Sequence, residues 1–322
     1  MSSFRSSLAY DINALLDYRE ALGYSRKSQA TSFKNLDAFM ANTYPEISTL
    51  TKEAVLEWLE EYPGEISKKS SAVRLLGKFM QATGKDSYVL YDSYAKSSAI
   101  KQPAYIFTDD ELSALFLAVD KTKPSKKEPF LNEILPILYR LIYTCGLRPN
   151  EGRELMCKNV NLKTGEILIT NTKHKKERLV VMSKDVLAMC RSYNKIRKIF
   201  ARGNEYFFPS FDSKGCFTNY QIGWYLRDAW HRANPAIAKE NLPNIRVYDL
   251  RHRFASATLI RWLDSGQPLR SKLAYLRAYM GHNKLSDTAY YIHLLPENLA
   301  KSAGIDWNGL DEMIPEVVSW ER

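Results

Sequence analysis

Apolar positions recur at helical spacing through the first ninety residues. Leu8, Ile12, Leu15, Leu16 and Leu22 fall on one stripe, and Gly23 stands where a helix would stop. Phe33, Leu36, Phe39 and Met40 repeat the pattern ahead of "NTYP". Thr51 is placed to cap "KEAVLEWLEEY", an acidic segment ended by "PG". In "SKKSSAVRLLGKFMQATG", Val73, Leu76, Phe79 and Met80 make the inward face and leave Lys68, Lys69, Arg74 and Lys78 outward. Four helices are therefore expected over residues 1–90. "YDSYAKSSAIKQPAY", residues 91–105, has no period and reads as a linker.

"TDDE", from Thr108 to Glu111, is a capping box. Its acids suit a helix N-terminus, where the dipole favours negative charge, better than a metal site. A long apolar helix, "FLNEILPILYRLIYTCG", leads to "LRPNEGRELM". Patterning then switches to period two around "TG" and the basic "KHKK", which predicts a small antiparallel sheet with a lysine-tipped hairpin. Everything after Ser183 is expected to return to helices. The expected fold class is mostly α, in two domains.

Charge adds a partner to this picture. The chain has 322 residues and a net charge of +10, unevenly placed. Residues 1–95 hold 11 Lys+Arg against 12 Asp+Glu, and the remainder holds 35 against 24. A basic body of this size points to a polyanion, most simply nucleic acid, or else only to a soluble basic surface. No apolar run is long enough to span a membrane, and "MSSFRSSLAYDINALL" lacks the apolar core of a leader peptide. The four cysteines form no CxxC pair and read as reduced thiols, so a cytoplasmic protein is expected.

Three of the five histidines fall in distinctive settings near the end: "DLRHRF", "MGHNKLS" and "YYIHL". Upstream stand "CGLRPNE" and the hairpin lysines. In this order the segments resemble the tyrosine recombinase (phage integrase) family, as motifs over residues 106–295 and as architecture over 1–90. Arg251 follows Arg148 by 103 residues and precedes Tyr291 by 40, both ordinary gaps for that family.

The resemblance implies an N-terminal four-helix SAM-like DNA-binding domain (1–90), a linker (91–105) and an α+β catalytic domain (106–295). It makes Arg148 and Arg251 the pair that brackets the non-bridging oxygens of a phosphodiester. Two fixed, always-charged forks suit that task. Glu151 becomes an orienting partner. Lys173 becomes the general acid to the 5′ oxygen, with Lys175 as its alternative and Lys175 and Lys176 otherwise contacting DNA phosphates. His282 would donate to the phosphate, and His252 and His293 would support. Tyr248 stands where the family commonly has His or Lys. A phenol can donate there, or the ring can simply be packed.

Aligning "GH", a spacer and "YxH" makes Tyr291 the nucleophile, and Tyr290 core or interface filler. Adjacent helical residues point about 100° apart, so only one of the two can face the phosphate. No converging carboxylates accompany these cations, so neither metal nor cofactor is expected. The implied activity is site-specific cleavage and rejoining of DNA through a 3′-phosphotyrosyl link. Its implied partners are double-stranded DNA, three further copies in a tetramer, and accessory DNA-bending or directionality proteins, with no membrane. Lys68, Lys69, Arg74 and Lys78 are candidate DNA contacts or a solvated face. The acidic, apolar tail 296–322 would dock on a neighbouring subunit or pack on its own domain. A type IB topoisomerase and a catalytically decayed DNA-binding protein are the alternatives.

Overall fold

The computed structural model describes residues 4–24, 26–61, 66–92, 94, 103–170, 177–213, 215–267 and 269–292. The chain divides into two compact units, Met1–Gln102 and Pro103–Arg322. The first contains α1 (Ala9–Ala21), α2 (Lys27–Thr43), α3 (Lys52–Glu61) and α4 (Ile66–Ala82). Helix α1 ends as the sequence predicts, on Gly23 at φ 85°, a conformation that costs other residues a Cβ clash. Thr51 Oγ1 accepts from the Ala54 amide at 3.2 Å, capping α3. Leu8, Ile12 and Leu15 meet Phe33, Trp58 and Leu76 in the unit's core.

Two expectations fail here. Leu22 lies beyond the last turn of α1 and is exposed rather than on the apolar stripe. The basic face of α4 is also narrower than periodicity suggests. Lys68 and Lys78 are exposed, but Lys69 is buried with its ammonium 5.8 Å from the Trp58 ring centroid. Arg74 turns onto the chain after the helix and donates to the Leu90 and Tyr91 carbonyls at 2.8 Å each. For Arg74 the cause is that this returning segment runs across α4, where a Cβ on Gly77 would collide with the Tyr88 carbonyl.

The second unit contains α5 (Asp109–Asp120), α6 (Leu131–Thr144), α7 (Pro149–Arg153), β1 (Val160–Asn161), β2 (Glu166–Ile169) and β3 (Arg178–Val181). These are followed by α8 (Lys184–Phe200), β4 (Pro209–Ser210), β5 (Gly215–Cys216), α9 (Asn219–Ala233), α10 (Val247–Asp264), α11 (Leu269–Met280) and α12 (Ser286–Ala289). The capping box of α5 forms, with Thr108 and Glu111 bonding each other's backbone amides. Helix α6 is the apolar centre, and α5, α8 and α10 pack around it. Strands β1, β2 and β3 form an antiparallel sheet with Ile167 opposite Val180 and Ile169 opposite Arg178. The lysine tip expected between β2 and β3 lies outside the described residues, as does the tail 296–322.

A second sheet was not expected. Strands β4 and β5 pair antiparallel between α8 and α9, so the chain after Ser183 is not wholly helical. Two-residue strands are too short to show a period. Buried Glu128 holds their turn by accepting from the Phe211 and Asp212 amides at 3.0 and 3.2 Å. A smaller cluster joins α10 and α11 to the end of the described chain: Ala255, Leu259, Leu273, Leu276, Met280 and Tyr291. Across the described residues the fold is mostly helical with small antiparallel sheets.

Replacing Gly77 with alanine weighs two opposed effects. Alanine gains about 1 kcal/mol of helix propensity, and overpacking against backbone costs about 1–3 kcal/mol. Because the obstructing atom is a main-chain oxygen, the clash should win. Urea denaturation is expected to show Gly77→Ala less stable than the parent; a more stable variant would contradict this packing.

Candidate active site

The site begins where α6 stops. Gly146 adopts φ 60°, and a Cβ there would sit 2.5 Å from Cδ1 of Phe254 on α10. Only glycine satisfies both the turn and that approach. The reversal leaves Arg148 as the residue capping α7. Glu151, in the first turn of α7, accepts from the Arg148 amide at 2.8 Å through Oε2 and from Arg148 Nη1 at 2.8 Å through Oε1. Arg178, the first residue of β3, forks onto both oxygens of the same carboxylate at 2.8 and 2.7 Å. Burial alone would raise the Glu151 pKa. Arg178, then Arg148, override it and hold the group at about 2.

Helix α10 supplies the second arginine. Its first turn is fixed by buried Asp249, which accepts from the Arg246 amide at 2.7 Å and from the Tyr105 amide at 3.3 Å. One turn on, Arg251 is fully buried. It donates to the Gly146 carbonyl, to Met280 O at 2.7 Å, and meets His282 Nε2 at 2.9 Å. Its Nε, like His252 Nδ1, has no partner among the described residues.

The end of α11 ties these groups together. Three consecutive carbonyls each accept from a different guanidinium: Tyr279 O from Arg178 Nε at 2.9 Å, Met280 O from Arg251 Nη2 at 2.7 Å, and Gly281 O from Arg148 Nη2 at 2.7 Å. The last carbonyls of a helix lack internal partners and carry its negative end, so cations are favoured there. Gly281, at φ 64°, turns the chain onward to His282.

His282 Nε2 faces an arginine, which can only donate, so that nitrogen accepts and Nδ1–H is free to donate to Thr288 Oγ1 at 2.8 Å. The ring is therefore neutral. Burial, followed by Arg251, Arg148 and Arg178, pushes its pKa down to about 3. Burial likewise lowers His252 to about 4.

Tyr291 is buried, its ring stacked on His282 with centroids 6.0 Å apart and planes at 14°. Its ring centroid is 5.5 Å from that of His252. Burial raises the phenol to about 12, with Arg251 opposing. Tyr290, its ring 5.9 Å from that of Tyr291 and 6.2 Å from that of His252, is 43 % exposed, so it is not core filler. Tyr248 is half-buried, its ring 4.9 Å from His252 and 6.0 Å from the Arg251 guanidinium.

Seven of the residues singled out from the sequence thus converge: Arg148, Glu151, Tyr248, Arg251, His252, His282 and Tyr291. Lys173, Lys175, Lys176 and His293 lie outside the described residues. Lys68, Lys69, Arg74 and Lys78 belong to the first unit. Arg178 was missed. Its signal was parity: it shares the inward face of β3 with buried Val180, while Leu179 and Val181 face out.

Residues 106–298 match the family model described as the phage integrase family. The chain belongs to this family. It is similar to a Sinorhizobium fredii protein named as an integrase/recombinase, y4rE, at 25 % identity over 94 % of this chain and 97 % of that one. It is also 24 % identical to the tyrosine recombinase XerD of Rhizobium meliloti, over 87 % of this chain and 88 % of the other. In fold it resembles the XerH site-specific recombinase bound to its palindromic difH substrate, with a TM-score of 0.62 and 19 % identity, covering 88 % of this chain and 80 % of XerH. No helix among the described residues of this phage integrase family member is long and apolar enough to cross a membrane.

The neutral histidines set a pH dependence. Folded values of about 4 and about 3 lie below the ordinary 6.5, so between these limits the unfolded chain binds protons that the folded chain does not. Glu151, held at about 2 against an ordinary 4.5, acts in the same direction below pH 4.5. Stability is complete above pH 6.5 and is lost as pH falls. The melting temperature is expected to drop from pH 7 to pH 5, less steeply in His282→Gln. A melting temperature that rises on acidification would contradict these assignments.

Proposed function

We propose that this protein is a site-specific DNA recombinase whose nucleophile is Tyr291. The observation that carries the reading is charge held in one place: three guanidiniums on successive carbonyls share a single carboxylate, beside a buried phenol. Their excess positive charge suits an anion that a tyrosine is to attack. Arg148 and Arg251 bind the non-bridging oxygens of a phosphodiester as negative charge builds on them. The Tyr291 oxygen forms the new P–O bond, the bond from phosphorus to the 5′ oxygen breaks, and the DNA is left as a 3′-phosphotyrosyl ester.

Proton transfers complete the step. The imidazoles of His252 and His282 are neutral and are the bases nearest the phenol. An arriving phosphate anion raises their basicity. Lys173 protonates the leaving 5′ oxygen, and Lys175 and Lys176 contact neighbouring phosphates. Tyr248 donates from the place where the family commonly has His or Lys. His293 supports Tyr291. Because the ester conserves the phosphodiester bond energy, a second strand's 5′-hydroxyl can religate it.

Double-stranded DNA is the partner, with residues 1–90 as a DNA-binding domain and 106–295 as the catalytic one. Lys68 and Lys78, exposed on α4, contact DNA phosphates, whereas buried Lys69 is not placed to reach them. Exchange between two duplexes requires four active tyrosines, hence a tetramer on DNA, to which the tail 296–322 contributes by docking on a neighbour. Accessory DNA-bending proteins would set direction. In the free protein Arg251 and Tyr291 are buried, so the segment 290–292 must shift before phosphate can reach them.

A suicide duplex carrying a nick beside the cleavage site traps the covalent product. Wild type and Tyr290→Phe are expected to give a protein–DNA adduct on denaturing gels, and Tyr291→Phe none, at unchanged DNA affinity. An adduct that survives Tyr291→Phe, or is lost only with Tyr290→Phe, would overturn the assignment.

A further inference from the structure

We propose that Arg178 is a positioning residue for strand cleavage: by occupying both oxygens of Glu151 it restricts that carboxylate to a single bond with the Arg148 side chain, leaving the rest of the Arg148 guanidinium for phosphate. This rests on the strand-cleavage reading above and deepens it.

A carboxylate offers about four lone-pair directions. On Glu151 all are filled: Oε1 takes Arg148 Nη1 and Arg178 Nη1, and Oε2 takes the Arg148 amide and Arg178 Nη2. Arg178 cannot itself serve DNA. Its side chain is only 8 % exposed, and its third nitrogen, Nε, is bonded to Tyr279 O. Its effect therefore passes through Glu151. The slot it occupies is built for it, since a Cβ on Gly281 would stand 3.1 Å from Arg178 Nη1.

Without Arg178, two lone-pair directions open. The Arg148 fork, which favours bidentate pairing with a carboxylate, can then rotate onto both oxygens and withdraw from the phosphate. A competing explanation is that Arg178 contributes only positive charge. Lysine separates the two, because an ammonium keeps the charge but cannot fork.

The test measures adduct formation on the suicide duplex at saturating protein, with DNA affinity and melting temperature recorded alongside. Arg178→Lys is expected to cleave about 10- to 100-fold more slowly, with affinity within about threefold of wild type. Adding Glu151→Gln should recover part of the loss, because the amide has one acceptor oxygen and cannot capture Arg148 bidentately. The deficit of Arg178→Lys should also shrink on acidification, as Glu151 protonates and releases Arg148.

Arg178→Lys cleaving at the wild-type rate would show that charge suffices and would overturn the proposal. So would a rate loss matched by losses of affinity and melting temperature, or a double variant slower than the single. If Arg178→Lys does not fold, the neutral pair Glu151→Gln/Arg178→Gln replaces it, and faster cleavage by Glu151→Gln/Arg178→Gln than by Arg178→Gln is the required result. A wild type that binds its DNA but forms no adduct would instead remove the strand-cleavage reading, and the proposal with it.

Discussion

Three peptide carbonyls in a row, Tyr279, Met280 and Gly281, each accept from a different arginine. The candidate site in the second unit is arranged around that contact. It draws α7, α10 and β3 to one helix end, although their arginines are separated by up to 103 residues of chain. Like charges so close would repel, and the arrangement persists because the helix end and Glu151 supply the opposing partial and full negative charge. The compensation is incomplete by design of the inventory: one carboxylate faces three guanidiniums, and Arg251 lies 3.9 Å from it without a hydrogen bond. Under the proposed function a phosphodiester would complete the balance.

The same contact explains the resting chemistry. Arg251 fixes the His282 tautomer, His282 stacks on Tyr291, and burial keeps both rings neutral and the phenol protonated. If Tyr291 is the nucleophile, as proposed, a phenol held in this state is unreactive toward water-borne electrophiles. DNA would change two terms at once, by giving the guanidiniums an anionic acceptor in place of protein carbonyls and by raising the basicity of the imidazoles. Binding and activation are then one event rather than two.

Much of this was legible in the chain. Arg148 in "CGLRPNE", Arg251 in "DLRHRF" and His282 after "MG" were found through motifs that match the family in order, and such motifs are local in sequence. The choice of Tyr291 over Tyr290 followed from the family's "YxH" pattern, with helical geometry allowing only one of them to face a phosphate; Tyr291 is buried and Tyr290 exposed. What stayed hidden depended on distant chain. Arg178 went unremarked because its partner Glu151 is 27 residues away, and only strand parity hinted at its burial. Arg74 was read as outward because nothing in α4 announces that residues 85–91 return across it, and Lys69 because nothing there announces Trp58 of α3 beside it. Strands β4 and β5 were too short to carry a period.

The most direct measurement of the central claim is mass spectrometry of the trapped complex: nuclease and trypsin digestion, then sequencing of the peptide that retains a nucleotide. A nucleotide on Tyr291 is the predicted result. A nucleotide on Tyr290 or any other residue, or a trapped complex with no modified tyrosine, would contradict it.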